Sequence, residues 1–95
     1  MKESSYNELS AKGLGHMVDG VRSYIEDGRP PGGFLRALFS NDLMAAFARA
    51  DISNTARMRF WVEWLDNHAP LACYGSKEAV DKWIRAGGAK GLSAN

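Results

Sequence analysis

The sequence predicts an all-α protein, a small bundle of four to five short helices in a single domain. Apolar residues recur at three- and four-residue spacings along most of the chain, which is the helical period. No stretch shows the two-residue alternation between turns that marks a β-hairpin. The 95 residues are 45% hydrophobic and include three Trp, three Tyr and four Phe, enough for one core without a structural metal or disulfides.

The apolar pattern divides the chain into three parts. Residues 1–13 are mostly polar and nearly without apolar period, so we expect a flexible N-terminal arm with at most a short docked turn, anchored by Tyr6 and Leu9. Residues 14–88 carry the periodic segments and form the helical domain, and residues 89–95 are expected to be a frayed tail. The first helix of the domain ends at Gly28, and prolines and glycines then make a connector before a short apolar helix over residues 34–39.

The next helix, over residues 41–50, is apolar on nearly its whole circumference. Such a helix must be enclosed by its neighbours, so we expect it to be the central rod of the domain, with Met44 and Phe47 covered. Asn41 is a plausible N-cap.

A longer helix is expected from Ser53 to His68, with Met58, Trp61, Val62 and Leu65 as its core stripe. Phe60 and Trp64 widen the apolar arc beyond what one core contact needs, which predicts a surface for a partner. A last helix, capped by Ser76, turns Trp83 inward and ends at Gly87-Gly88.

Composition excludes several classes of partner. The net charge of +1 and pI of about 7.9 argue against binding to nucleic-acid backbones. No apolar run approaches 18 residues and no signal peptide is present, so neither a membrane nor export is expected. Cys73 is the single cysteine and cannot form an intrachain disulfide, which fits a reducing cytoplasm.

The chain lacks the motifs of metal, cofactor and catalytic sites. His16, His68 and Cys73 are too few to complete a structural zinc site. The glycines near His16 and the Gly32-Gly33 pair do not complete a phosphate-binding motif. A nucleophile at Cys73 or Ser76 with His68 as base would need a third group to orient it. We therefore expect no metal, no cofactor and no enzymatic activity.

One candidate site lies on the longer helix, where Arg57 and His68 fall between the tryptophans on the helical wheel. Arginine beside tryptophan is a recurring protein-interface anchor. In the opposite interpretation, Arg57 merely lays its aliphatic stem over apolar surface. The predicted partner-binding residues are Arg57, Phe60, Trp61, Trp64 and His68.

A second hypothesis is a small-ligand binder that sequesters a nucleotide or another anionic signal. Arginines would hold the phosphate and an aromatic ring would stack on the base. Its residues are Arg29, Arg36, Arg49, Arg57 and Trp64.

Residues 25–88 resemble a group of small uncharacterised proteins from phages and prophages. The resemblance rests on Pro31-Gly32-Gly33-Phe34-Leu35, Asn41-Asp42-Leu43, Ala46-Phe47-Ala48-Arg49-Ala50-Asp51, the segment from Ala69-Pro70 to Cys73, Gly75-Ser76, Val80 and Trp83-Ile84. It implies a mobile-element context, in which small non-catalytic proteins act by binding a host component. The sequence thus favours a protein partner or self-association into a homo-oligomer.

Overall fold

The computed structural model describes residues 1–93, and within them every regular element is helical. Eight α-helices are present, more than the four to five predicted, and two single 3₁₀ turns, Gly15–Met17 and Leu71–Cys73, join them. The helices are α1 (Glu3–Ala11), α2 (Val18–Asp27), α3 (Gly33–Phe39), α4 (Leu43–Arg49), α5 (Ile52–Ala56), α6 (Met58–His68), α7 (Lys77–Ala86) and α8 (Gly88–Ser93). The all-α prediction is confirmed.

The segment predicted to be a flexible arm forms α1 and belongs to the core. Tyr6 and Leu9 are buried, and the backbone N–H of Leu14 donates to the carbonyl of Leu9 to close the turn that follows. Outside the core, the guanidinium of Arg22 binds both carboxylate oxygens of Glu3 at 2.6 and 2.8 Å and lies over the Tyr6 ring. Residues 1–13 therefore pack against the helical domain that was predicted to begin at residue 14.

The enclosed helix is α3, not α4. In α3, Phe34, Leu35, Ala37, Leu38 and Phe39 are all buried. In α4 only Ala46 is buried, whereas Met44 is 83% exposed and Phe47 is 45% exposed, so the prediction of a central rod over residues 41–50 is wrong.

The helix predicted from Ser53 to His68 is interrupted at Arg57 and forms α5 and α6. Asp51, not Ser53, caps α5 by accepting the N–H of Asn54. Likewise Asp42, not Asn41, caps α4 by accepting the N–H of Ala45. A carboxylate at either cap also suits the positive end of the helix dipole.

The backbone at the start of α8 touches the backbone of the turn that follows α2. Gly28 after α2 and Gly88 at the start of α8 both have positive φ, and a Cβ on Gly28 would lie 2.5 Å from the nitrogen of Gly88. Beside this contact, the Trp83 indole N–H is shared between the carbonyls of Tyr24 and Ile25 at 3.1 and 3.2 Å.

Residues 88–93 form α8 instead of the frayed tail predicted from residue 89. Residues 94 and 95 of that tail lie outside the described residues. Among residues 1–93, no helix is long and apolar enough to cross a membrane.

Candidate functional site

The predicted partner-binding strip runs from Arg57, directly before α6, along α6 to His68, and α1 contacts part of it. Trp61 and Trp64 are 0% and 1% exposed. Their indole N–H groups are both paired: Trp61 donates to the side-chain oxygen of Asn54 at 3.0 Å, and Trp64 donates to the backbone carbonyl of Ser5 at 2.8 Å. The expectation that Trp64 contributes to an exposed contact surface is wrong.

The two basic residues of the strip hold the N-terminal helix. His68 Nε2 lies 2.8 Å from a carboxylate oxygen of Glu8, and its Nδ1 lies 3.2 Å from the Ser5 hydroxyl. The Arg57 Nε–H donates to the backbone carbonyl of Lys12 at 3.0 Å. Arg57, Trp64 and His68, three of the five residues assigned to a partner, therefore contact the N-terminal segment of the same chain.

Phe60 is the one aromatic residue of the strip that stays partly exposed. The Lys12 ammonium lies 5.7 Å from the centre of its ring. Phe60 thus marks the edge where α1 ends and offers little free apolar area.

The surplus apolar width of α6 lies on its other side, at Val62. Val62 was expected to face the core, but it is 54% exposed, and Leu43 of α4 is 61% exposed. Both line a groove between α4 and α6 with a volume of about 370 Å³. Its lining residues are Leu38, Asn41, Asp42, Leu43, Ala46, Met58, Val62, Glu63, Leu65, Asp66, Tyr74 and Gly75.

The groove has an apolar floor and an acidic rim. Leu38, Ala46, Met58 and Leu65 are buried and make the floor. Asp42, Glu63 and Asp66 supply the charged groups of the lining, and no Lys or Arg is among the lining residues. Glu63 also pairs with Arg59 one helical turn away, at 3.0 Å, on the solvent side of α6.

A second cavity, also of about 370 Å³, lies where α3, α4 and the start of α7 meet. It brings together two residues of the predicted ligand set, Arg36 and Arg49, and adds Lys77. Sequence reasoning missed Lys77; its position directly after the helix cap Ser76, where acidic residues are usual, was the available signal.

The remaining members of the ligand set are elsewhere. Arg29 and Arg57 do not line this cavity, and Trp64 is buried under α1. Since Trp64 was the expected platform for a nucleotide base, the predicted combination of arginines and indole is not assembled.

The groups considered for catalysis have structural roles. Ser76 accepts the N–H of Ala79 as the cap of α7, as predicted. Cys73 is fully buried, and burial raises the pKa of its thiol to about 12, so the thiolate needed for nucleophilic attack is disfavoured near neutral pH. Among residues 1–93, no three His, Cys, Asp or Glu side chains are grouped closely enough to hold a metal ion.

Two of the cavities thus have a distinct chemical character, an apolar groove with an acidic rim and a basic cavity. No family model, curated protein or solved structure significantly matches the chain.

Proposed function

We propose that the protein is a non-catalytic binding protein that acts through protein–protein contacts, and that the groove between α4 and α6 is its contact surface. The main observation behind the proposal is that Leu43 on α4 and Val62 on α6 are both exposed and line the same apolar groove. The likeness to small phage and prophage proteins supplies a context, in which a protein of the host cytoplasm is the partner.

Exposed apolar side chains on α4 and α6 are the first observation that supports a contact surface here. Leu43 and Val62, which line the groove, are 61% and 54% exposed. Met44 and Phe47, on the same helix as Leu43 but outside the lining residues, are 83% and 45% exposed. Complete burial of one such side chain stabilises by about 1.5–3 kcal/mol, so a partner that covers even part of this surface gains affinity from it. Exposed apolar side chains that share one groove, as Leu43 and Val62 do, are typical of interaction sites.

The shape and the charge of the groove favour one occupant, an amphipathic helix with basic flanks. A groove between two helices accepts a third helix whose apolar residues recur at three- and four-residue spacing. Lys or Arg beside those residues would approach Asp42, Glu63 and Asp66 on the rim. Such complementary charge raises the association rate and selects against acidic partners.

Two model peptides of equal length test the proposal. Both form amphipathic helices with the same leucine face, and one is flanked by lysines while the other is flanked by glutamates. In ¹H–¹⁵N spectra, the lysine-flanked peptide should shift the amides of the groove residues and bind at least about tenfold tighter than the glutamate-flanked peptide at low salt. Absence of groove shifts with either peptide would overturn the proposal.

A pair of variants separates the groove from general apolar surface. Val62→Asp places a charge in the groove and should abolish peptide binding. Leu71→Asp introduces the same charge at a side chain that is 81% exposed and outside the groove, and should leave binding unchanged. Equal loss in both variants would contradict the assignment.

Sedimentation analysis of the same variants tests the other occupant, a second copy of the chain. A wild-type dimer that Val62→Asp converts to monomer would assign the groove to self-association and overturn the basic partner. A wild type that stays monomeric at high micromolar concentration leaves the groove open to the peptide, as the proposal requires.

A further inference from the structure

The basic cavity formed by α3, α4 and α7 is distinct from the proposed protein-binding groove. Its lining residues are Gly33, Arg36, Ala37, Ser40, Asp42, Ala45, Arg49 and Lys77. Three of these carry a positive charge and one carries a negative charge, whereas all charged lining residues of the groove are acidic. Asp42 lies between the two sites and lines both.

Two of the three cations lack a partner. Arg36 Nη2 donates to Asp81 at 2.7 Å, which compensates its charge. Within residues 1–93, the side chains of Arg49 and Lys77 form no hydrogen bond and no ion pair. The cavity therefore holds positive charge that the fold itself does not neutralise.

The side chain of Arg49 lies close to the backbone of Gly33. A Cβ on Gly33 would lie 2.9 Å from Nη1 of Arg49 and 3.2 Å from its Cδ. The guanidinium thus lies directly against the backbone at the start of α3, where a larger residue would displace it.

Lys77 adds a charge of the same sign as its surroundings. It is the first residue of the ten-residue helix α7, where the helix dipole is positive and acidic residues are favoured. An anion in the cavity would relieve this unfavourable placement and would face Arg49 and Lys77 together.

We propose that the cavity binds a small phosphate-class oxyanion, with Arg49 and Lys77 donating to its oxygens, while Arg36, whose charge is paired with Asp81, completes the lining. Arginine and lysine form short, charge-assisted hydrogen bonds to phosphate. The volume of about 370 Å³ lies at the lower end of the range for small-molecule sites. No aromatic ring lines the cavity, so a nucleoside base has no stacking partner there.

Asp42 limits the affinity of this site and provides a sharp test. Its carboxylate caps α4 by accepting the N–H of Ala45 at 3.1 Å, a role that asparagine also fills. Asp42→Asn therefore removes the negative charge and keeps the helix cap. We expect phosphate to bind several-fold tighter to this variant, whereas the lysine-flanked peptide should bind more weakly to it.

The direct experiment is a ¹H–¹⁵N NMR titration with inorganic phosphate and with pyrophosphate, at an ionic strength held constant with chloride. The amides of Gly33, Ser40 and Lys77 should shift and saturate, and pyrophosphate should bind more tightly because it carries more charge. Shifts that do not saturate, or that chloride reproduces, would overturn the site. AMP binding at least about tenfold tighter than phosphate would overturn the restriction to compact anions.

Charge-matched variants locate the binding. Arg49→Gln and Lys77→Gln should each weaken pyrophosphate binding at least about fivefold, since each removes one charge-assisted contact. Lys82→Gln removes the same charge from an exposed position of α7 outside the cavity and should have little effect. Equal weakening by all three variants would show attraction to net charge only and overturn the site. Lys77 is exposed, so its variant tests the site even if Arg49→Gln unfolds the protein.

The two proposals fail independently. If phosphate shifts the cavity amides but neither peptide binds, the protein-binding groove is overturned and the anion site stands. If a peptide binds the groove but phosphate causes no saturating shifts, only the anion site is overturned.

Discussion

The Trp64 indole N–H donates to the backbone carbonyl of Ser5 across 59 positions of the chain, at 2.8 Å. The bond lies in the buried contact between α1 and α6, beside the Tyr6 ring, whose centre is 6.2 Å from that of Trp64. A buried polar group left without its partner costs about 1–3 kcal/mol, so this pairing ties the burial of Trp64 to the presence of α1. The first helix is therefore part of the folding unit.

Trp64→Phe should destabilise the protein by about 1–3 kcal/mol and loosen α1. The change removes the N–H donor and part of the indole volume, which leaves a small cavity at the helix contact. Urea unfolding gives the free energy, and hydrogen exchange gives the protection of the amides of α1.

Trp83→Phe is the matched control for this prediction. It removes an indole that also donates to backbone carbonyls, but those carbonyls belong to Tyr24 and Ile25 at the end of α2. It should lower stability without a selective loss of protection in α1. Similar exchange profiles in the two variants would contradict the pairing of Trp64 with the first helix.

The sequence predicted correctly those helix ends and caps that depend only on neighbouring residues. The helix end at Gly28, the Ser76 cap and the end at Gly87 lie where predicted, because each depends on the conformation or hydrogen bonds of nearby residues. α1 was missed because Tyr6 and Leu9 are the only large apolar side chains within it. The groups that hold it, such as Trp64 and Arg57, are distant in sequence and invisible to a local pattern.

The candidate sites show the same limit. The wide apolar arc on α6 indicated that part of it would stay exposed, but it did not show whether the exposed residue would be Trp64 or Val62. Trp64 is buried because α1 packs on it, and Val62 is left exposed. Likewise, Arg36 and Arg49 were named as candidate phosphate ligands from the sequence, whereas their position beside Lys77 depends on how α7 packs beside α3.

Because α3 is enclosed and α4 is largely exposed, substitutions in the two helices should cost different amounts of stability. Met44→Gln should change the free energy of unfolding by no more than about 0.5 kcal/mol, because Met44 is 83% exposed. Leu35→Ala should cost about 2–5 kcal/mol, because Leu35 is 4% exposed. Urea denaturation of both variants provides the comparison. A larger loss for Met44→Gln than for Leu35→Ala would restore α4 as the enclosed helix.

Glu26 should make the protein less stable in acid. Burial alone would raise the pKa of Glu26, but the Tyr6 hydroxyl, which donates to it at 2.6 Å, and the Met1 amino group at 3.2 Å together lower that pKa below its ordinary value of 4.5. A carboxyl whose pKa is lowered by folding contributes stability that is complete above pH 4.5 and is lost as pH falls through the folded-state pKa.

Urea unfolding at several pH values between about 6 and 3 tests this contribution, since only groups whose pKa differs between the folded and unfolded states make stability depend on pH. Glu26→Gln keeps an acceptor for the Tyr6 hydroxyl but removes the titrating charge, so its stability should fall less on acidification than that of the wild type. If the stability of Glu26→Gln fell with pH as steeply as that of the wild type, Glu26 would not be the source of the acid sensitivity.

The contact between Gly28 and Gly88 should make both positions intolerant of alanine. Gly13 also has positive φ but has nothing within 4 Å of an added Cβ, so Gly13→Ala measures the conformational cost alone, about 1 kcal/mol. Gly28→Ala adds a clash with the backbone of Gly87 and Gly88 and should cost about 1–3 kcal/mol more. Because backbone atoms on both sides of the contact are involved, no side-chain rotation can relieve it. Thermal or urea unfolding of Gly13→Ala, Gly28→Ala and Gly88→Ala gives the comparison, and equal losses in all three would mean that α8 does not pack on the end of α2.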